Sequence, residues 1–267
     1  MRSIGAADPM ELRRKIKMVL QYDGTAYHGW QRQKQELTIQ GVIEERIRII
    51  TGEFSTLIAS GRTDAGVHAL GQVCHFHTNS GIAPEALAKG LNSLLPHDIL
   101  IMDVQDAPAH FHARYSARSK VYEYRILNRP QPDPFLRFYS WHVPFRLNKD
   151  AMKECLNLLR GRHDFSSFRS SGSDNINPAR EMTLAELHVE DGILRFLFEA
   201  DGFLRHMVRN MVGTLVEVGE GKRDFEAFED ILESKDRQNA GVKSPPQGLY
   251  LVRVNYENSA LDDQENF

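Results

Sequence analysis

The stretch GRTDAGVHA, residues 61–69, sets an arginine and an aspartate between Gly61 and Gly66, with His68 two positions further on. Two glycines five apart favour a tight, irregular backbone over a helix interior. A loop of this kind can hold one side chain in the open while a scaffold fixes its direction. Asp64, flanked by Thr63 and Ala65 and preceded by Arg62, is the acid such a loop could present for chemistry. The alternative is a surface turn in which Asp64 bonds its own backbone.

Other chemistry-bearing patterns compete with it. VGEGKRD contains Gly221-Lys222, but the position five before Gly221 is Val216 and Arg223 replaces Ser or Thr, so it is no phosphate loop. His75-Phe76-His77 and His110-Phe111-His112 each put two imidazoles on one face if extended. With His68 and Asp64 they could be imagined as the metal site of a hydrolase, although neither pair lies near a second acid and no HExxH signature occurs. HARYSARSKVYEYRILNR, 112–129, carries five Arg or Lys against one acid, Glu123, with three tyrosines interleaved. Cations that hold phosphates beside rings that stack on unpaired bases suit RNA; a solvated strand face is the plain alternative. RGRHDFSSFR at 160–169 and RHMVR at 205–209 add further cations, and Arg205 and Arg209 are expected to share a helix face.

These side chains need elements to position them. KIKMVLQY, 15–22, alternates Ile16, Met18, Leu20 and Tyr22 as a half-buried strand does. LTIQGVIEERIRIITG has helical spacing at Ile39, Val42, Ile43, Ile47 and Ile50, with Thr38 as N-cap and Gly52 past the end. Segments near 54–60 and 71–76 read as strands flanking the Asp64 loop. A second helix starts at Pro84 and is stopped by Pro96, and a strand follows at 99–104. In the second half, 119–127 is a strand, Asp150 is expected to cap a helix, and Asp191-Gly192 is the turn of a hairpin. Helices are expected near 204–218 and after Asp224, and GLYLVRVNY closes the pattern as a strand. Strands and helices mix without strict alternation, which predicts an α+β fold with mixed or antiparallel sheets and helices packed on them. Periodicity lapses at 105–118, the expected domain boundary.

Composition sets the outer limits. The chain has 267 residues, 41% hydrophobic and 26% charged, enough for two modest cores. Its net charge of −3 means that a nucleic-acid partner would have to be held by a local patch. Two cysteines without CxxC spacing argue against a disulfide framework and for a reducing compartment. No apolar run reaches the roughly 18 residues of a membrane span, and the start lacks a signal-peptide core, so a cytoplasmic, non-membrane protein is expected.

The order of six blocks is more specific: YDGTAYHGWQRQ (22–33), GRTDAGVHALGQVCHF (61–76), FHARYSARSKVYEYRI (111–126), HDFSSFR (163–169), FLRHMVRNMVGTL (203–215) and GLYLVRV (248–254). Over residues 15–256 the chain closely resembles the TruA-type tRNA pseudouridine synthases. The resemblance implies two similar α+β domains of the pseudouridine synthase fold, facing each other across a basic cleft. It also implies isomerisation of uridine at positions 38, 39 and 40 of the tRNA anticodon stem-loop, commonly by a homodimer, with no cofactor and no metal. Motif against motif, Asp64 takes the place of the catalytic aspartate, Arg209 of its basic partner, Tyr122 of the ring that stacks on the target uracil, and Arg62 of the residue that helps extrude it. Asp64 could attack the base, attack the sugar or accept a proton. The expected division is a leader (1–13), an N-terminal domain carrying the catalytic loop (14–110), a C-terminal domain (111–256) and an acidic tail (257–267). A catalytically silent RNA-binding protein and a metal hydrolase are the rival readings.

Overall fold

The computed structural model describes residues 13–172 and 177–257. The leader before residue 13 and the tail after 257 lie outside the described residues, as do the expectations about them. The described chain up to Ala117 forms one compact α+β unit, and the chain from Arg118 forms another. The division comes at the end of the aperiodic 105–118 stretch because that stretch bonds back onto the first unit. Lys15 Nζ donates to the carbonyls of Ala109 and Phe111, and the Ala113 N–H donates to His75 Nδ1 at 3.1 Å.

The first unit is an antiparallel sheet in the order β4-β1-β3, built from β1 (Arg14–Tyr22), β3 (His68–Thr78) and β4 (Ile99–Asp106). Alternation along β1 buries Ile16, Met18, Leu20 and Tyr22 as the pattern requires. Helices α1 (Ile39–Thr51) and α2 (Pro84–Leu94) contribute Ile39, Ile43, Ile47, Leu87 and Leu91 to the core. The Thr38 hydroxyl caps α1 by accepting the Gly41 N–H, and Gly52 ends it at φ 73°. The strand expected at 54–60 shrinks to β2 (Ile58–Ala59) on the edge of β3. Its preceding residues are diverted: the Leu57 N–H goes to the buried Glu44 carboxylate at 2.9 Å, and the Ser55 hydroxyl to the His77 carbonyl.

In the second unit the sheet runs β10-β5-β9-β8-β7, from β5 (Ala117–Leu127), β7 (Gly161–Asp164), β8 (Ala179–Glu190), β9 (Ile193–Ala200) and β10 (Leu249–Tyr256). A short β6 (Trp141–His142) lies parallel on β5. Asp191 and Gly192 turn the β8–β9 hairpin at φ 49° and 78°, the doubly positive geometry of a type I′ turn. Helix α3 (Lys149–Leu158) is capped by Asn148, not Asp150: Asn148 accepts the Ala151 N–H, and Asp150 sits in the first turn, where its charge suits the helix dipole. Asp224 caps α5 (Phe225–Ser234) as expected. Helix α4 (Met207–Gly219) is buried almost all round. At Gly213 a Cβ would lie 1.7 Å from the Val242 carbonyl oxygen, so the 242–244 backbone rests directly on this helix.

His75 on β3 is 1% exposed and packed beside His77, His112 and Lys15. Burial first, and second the positive charge of Lys15 and of His112 and His77 once they ionise in acid, push its imidazole down to about 4. Below the ordinary value near 6.5 the unfolded chain therefore takes up a proton that the folded protein refuses. Stability is expected to be complete above pH 6.5 and to fall by up to about 2–3 kcal/mol as pH drops towards 4. Urea unfolding of wild type and His75→Gln at pH 7.5 and 5.0 checks this; an equal pH loss in both would reject His75 as its source.

Candidate active site

Residues 60–67 connect β2 to β3, and Asp64 opens a turn within them: the Val67 N–H donates to the Asp64 carbonyl at 3.2 Å. Gly66 occupies the third position at φ 75°, the left-handed conformation a type II turn demands there. The turn leaves the Asp64 side chain half-exposed, Arg62 exposed, and Thr63 and Val67 buried on either side.

The loop is held from beneath by the segment after β1. The Trp30 N–H donates to the Thr63 carbonyl at 3.0 Å, and the Gly66 N–H to the Tyr27 carbonyl at 3.3 Å. Two glycines make that approach possible. A Cβ at Gly24 would lie 2.0 Å from the Val67 carbonyl oxygen, and one at Gly29 would lie 2.6 Å from that of Thr63. Gly29 also stands at φ 85°. Side chains complete the brace: the Tyr22 hydroxyl is 2.8 Å from Thr63 Oγ1, and the Gln72 amide donates to the Gly61 carbonyl at 2.9 Å. Burial pushes the Tyr22 phenol up to about 12, so it remains a neutral hydrogen-bonding group. His68 is buried, its Nδ1 accepting the Gly24 N–H at 3.2 Å and lying 3.1 Å from an Asp23 carboxylate oxygen. It braces the turn rather than facing solvent.

In the second unit, Tyr122 on β5 is 8% exposed and packs edge-to-face on Phe203, ring centres 4.9 Å apart. Tyr124 is fully enclosed and donates its hydroxyl to the Pro245 carbonyl at 2.7 Å. Arg209, in the first turn of α4, is 7% exposed, and its Nε donates to the Ser244 carbonyl at 2.8 Å. The Ser244 N–H returns a bond to the Arg209 carbonyl at 3.1 Å, fixing the guanidinium against the 242–244 segment. Arg205 does not share its face. It precedes the helix, on the far side of His206 at φ 62°, and donates to the Ser171 carbonyl at 2.9 Å.

Within the first unit, then, Arg62 and Asp64 lie on one braced loop; within the second, Tyr122 and Arg209 are each fixed by their own neighbours. The brace of Tyr22, Gln72, Gly24 and Gly29 was not singled out from the sequence. Its signal was the pair of glycines in YDGTAYHGW, whose distance from GRTDAGVHA in the chain conceals the contact.

The two HFH motifs do converge: His75 lies 5.9 Å from His77 and 4.9 Å from His112 between ring centres. The rings meet edge to face, and among the described residues no group of three His, Cys, Asp or Glu could hold a metal ion. The run of cations at 112–129 is less basic folded than written. Glu123 accepts from Arg125 at 2.6 Å and Arg195 at 2.9 Å, Arg129 pairs with Asp133, and Arg118 pairs with Glu257.

Comparison with known proteins adds independent information. Residues 18–116 and 156–257 match the family model described as tRNA pseudouridine synthase. The chain is 46% identical over 243 residues to the tRNA pseudouridine synthase A of Thermoanaerobacter sp. (strain X514), covering 91% of this chain and all of that protein. It is 47% identical over 243 residues to the tRNA pseudouridine synthase A of Acetivibrio thermocellus, with the same coverage. Against that of Geobacillus sp. (strain WCH70) the identity is 46% over 246 residues, 92% of this chain and 99% of the relative.

If the Gly24–Gly29 approach sets the loop, Gly29→Ala should lower unfolding stability by about 1–3 kcal/mol. It should also speed amide exchange at Thr63–Val67 while leaving α3–α5 protected. Unchanged exchange in the loop would show that this contact does not hold it.

Proposed function

This chain belongs to the tRNA pseudouridine synthase family, isomerases that act on uridine in tRNA, and on that premise we propose that it converts uridine to pseudouridine at positions 38, 39 and 40 of the anticodon stem-loop. In this reading two α+β domains face each other across a basic cleft, the enzyme works as a cytoplasmic homodimer, and no cofactor or metal takes part. Asp64 is the catalytic group. The observation that carries the proposal is the Asp64 turn itself, a half-exposed carboxylate on backbone locked by Gly66, Gly29 and Trp30. Such rigidity is what positioning a reactive group requires.

The reaction breaks the N1–C1′ bond of uridine, turns the uracil and joins C5 to C1′. N1 gains a proton and C5 loses one, so there is neither net redox change nor hydrolysis. An ionised Asp64 serves as nucleophile or proton acceptor in that sequence. Arg209 is its basic partner, favouring the ionised form. The bond from its Nε to Ser244 supports this role by fixing the guanidinium. Tyr122 stacks on the target ring. Extruding a nucleotide costs a few kcal/mol, and Arg62, exposed beside Asp64, helps to open the stem and fill the vacated space.

The test is tritium release from [5-³H]uridine-labelled tRNA transcripts incubated with the protein and no added metal. Wild type should release tritium from the anticodon arm. Asp64→Ala should cut the rate by roughly three orders of magnitude or more while tRNA binding is retained. Turnover near wild type in that variant would remove Asp64 from the mechanism. Because phosphate contacts release counterions, tRNA affinity should also fall steeply between 50 and 200 mM salt. A salt-independent affinity would contradict the basic cleft.

A further inference from the structure

The HARYS segment that closes the first unit carries a surface feature with no part in the site above. Tyr115 is 78% exposed, yet its ring is not loose. It stacks on His112 with centres 4.3 Å apart and planes 29° from parallel. The His112 ring is in turn anchored 4.9 Å from the buried His75. The turn beneath is locked by its own bonds. His112 Nδ1 accepts the N–H groups of Arg114 and Tyr115, both at 3.2 Å, Ser116 Oγ accepts the His112 N–H at 3.0 Å, and the Ser116 N–H donates to the His112 carbonyl at 2.9 Å. A ring this exposed removes little area from water and so adds little to the fold. Holding it in one orientation instead prepares it for a ligand at little cost in ordering.

The surroundings specify what kind. The exposed Arg114 guanidinium lies 5.8 Å from the centre of the Tyr115 ring, near the outer limit of a cation–π contact. Lys15 is close enough to act electrostatically on both His112 and His75, and the Lys17 ammonium lies 5.5 Å over the Phe111 ring. Burial, and after it the charges of Lys15 and Arg114, hold His112 below its ordinary range, so at neutral pH it is an uncharged ring supporting another ring. A rigid aromatic face with a guanidinium at its edge suits an unpaired nucleotide, with its base on the ring and its phosphate at the guanidinium.

We propose that Tyr115, backed by His112 and flanked by Arg114, is an RNA-stacking platform that takes an unpaired nucleotide of the tRNA outside the catalytic loop. The inference rests on tRNA being the substrate. It adds a contact that contributes to affinity and not to the chemistry at Asp64.

The test measures binding of an unmodified tRNA transcript to the full-length protein alongside tritium release. Tyr115→Ala is expected to weaken binding by roughly 5- to 150-fold, the range for losing one base–aromatic stack. Tyr115→Phe, which keeps the ring, should restore most of that affinity. Arg114→Ala should reduce the slope of log affinity against log salt by about one. Tyr115 lies at the surface, so these variants should melt with the wild type. Wild-type affinity in Tyr115→Ala, with tritium release intact, would overturn the platform and leave the enzyme assignment standing. Absence of tritium release from wild type with binding still lost in Tyr115→Ala would do the reverse. A change of sedimentation coefficient in Tyr115→Ala without RNA would overturn it too, identifying the ring as a contact between copies of the chain.

Discussion

Everything the Asp64 loop can do depends on two backbones lying against each other with no side chain between them. The 24–30 segment carries N–H and C=O groups that bond the loop at Thr63 and Gly66, and it reaches them because Gly24 and Gly29 lack a Cβ. A buried loop backbone is costly unless its polar groups are paired. Here the pairing partners also fix the geometry. Tyr22, Thr63, Gln72, Ser60 and the Gly61 carbonyl extend this into a buried hydrogen-bonded chain linking β1, the loop and β3. A single carboxylate is thus held on a rigid support while its side chain remains half-exposed.

The second unit applies the same physics to a cation. Gly213 admits the Val242 carbonyl onto α4, and the Ser244 backbone then exchanges two bonds with Arg209. Asn210, fully buried next to it, donates to the Phe168 carbonyl at 2.8 Å, tying the helix to the turn after β7. A long, flexible arginine is thereby held as a fixed charge, its rotamer freedom already given up to the fold. Phe165, Phe168 and Phe228 pack around the same turn, so the HDFSSFR motif serves chiefly to seat α4 and α5.

Charge counted along the chain is a poor guide to charge presented by the fold. Glu123 sits 8% exposed between Arg125 and Arg195, cancelling much of the basic appearance of β5. Arg125 also covers the Tyr250 ring at 4.0 Å, a packing role. Of the cations in the same run, Arg114 instead lies beside an exposed aromatic ring, while the ammonium of Lys15 is spent on the carbonyls of Ala109 and Phe111.

Local rules are legible in the sequence alone: the alternation of β1, the Thr38 and Asp224 caps, Gly52 after α1, and the Asp191-Gly192 turn all depend on neighbours a few residues apart. So is Asp64 as the candidate acid, since the glycines and the six ordered blocks lie in the chain itself. Where the sequence misled, a distant partner or a local competitor was responsible. Glu44 captured the Leu57 N–H and cut β2 short; Asn148 rather than Asp150 faced the open N–H groups of α3; His206 turned left-handed and separated Arg205 from Arg209. The meeting of His75 with His112, and of Gly29 with Thr63, could only be decided by the fold. Spacing encodes which residues share a strand face or a helix face, but it carries no record of which loops the packed core brings together.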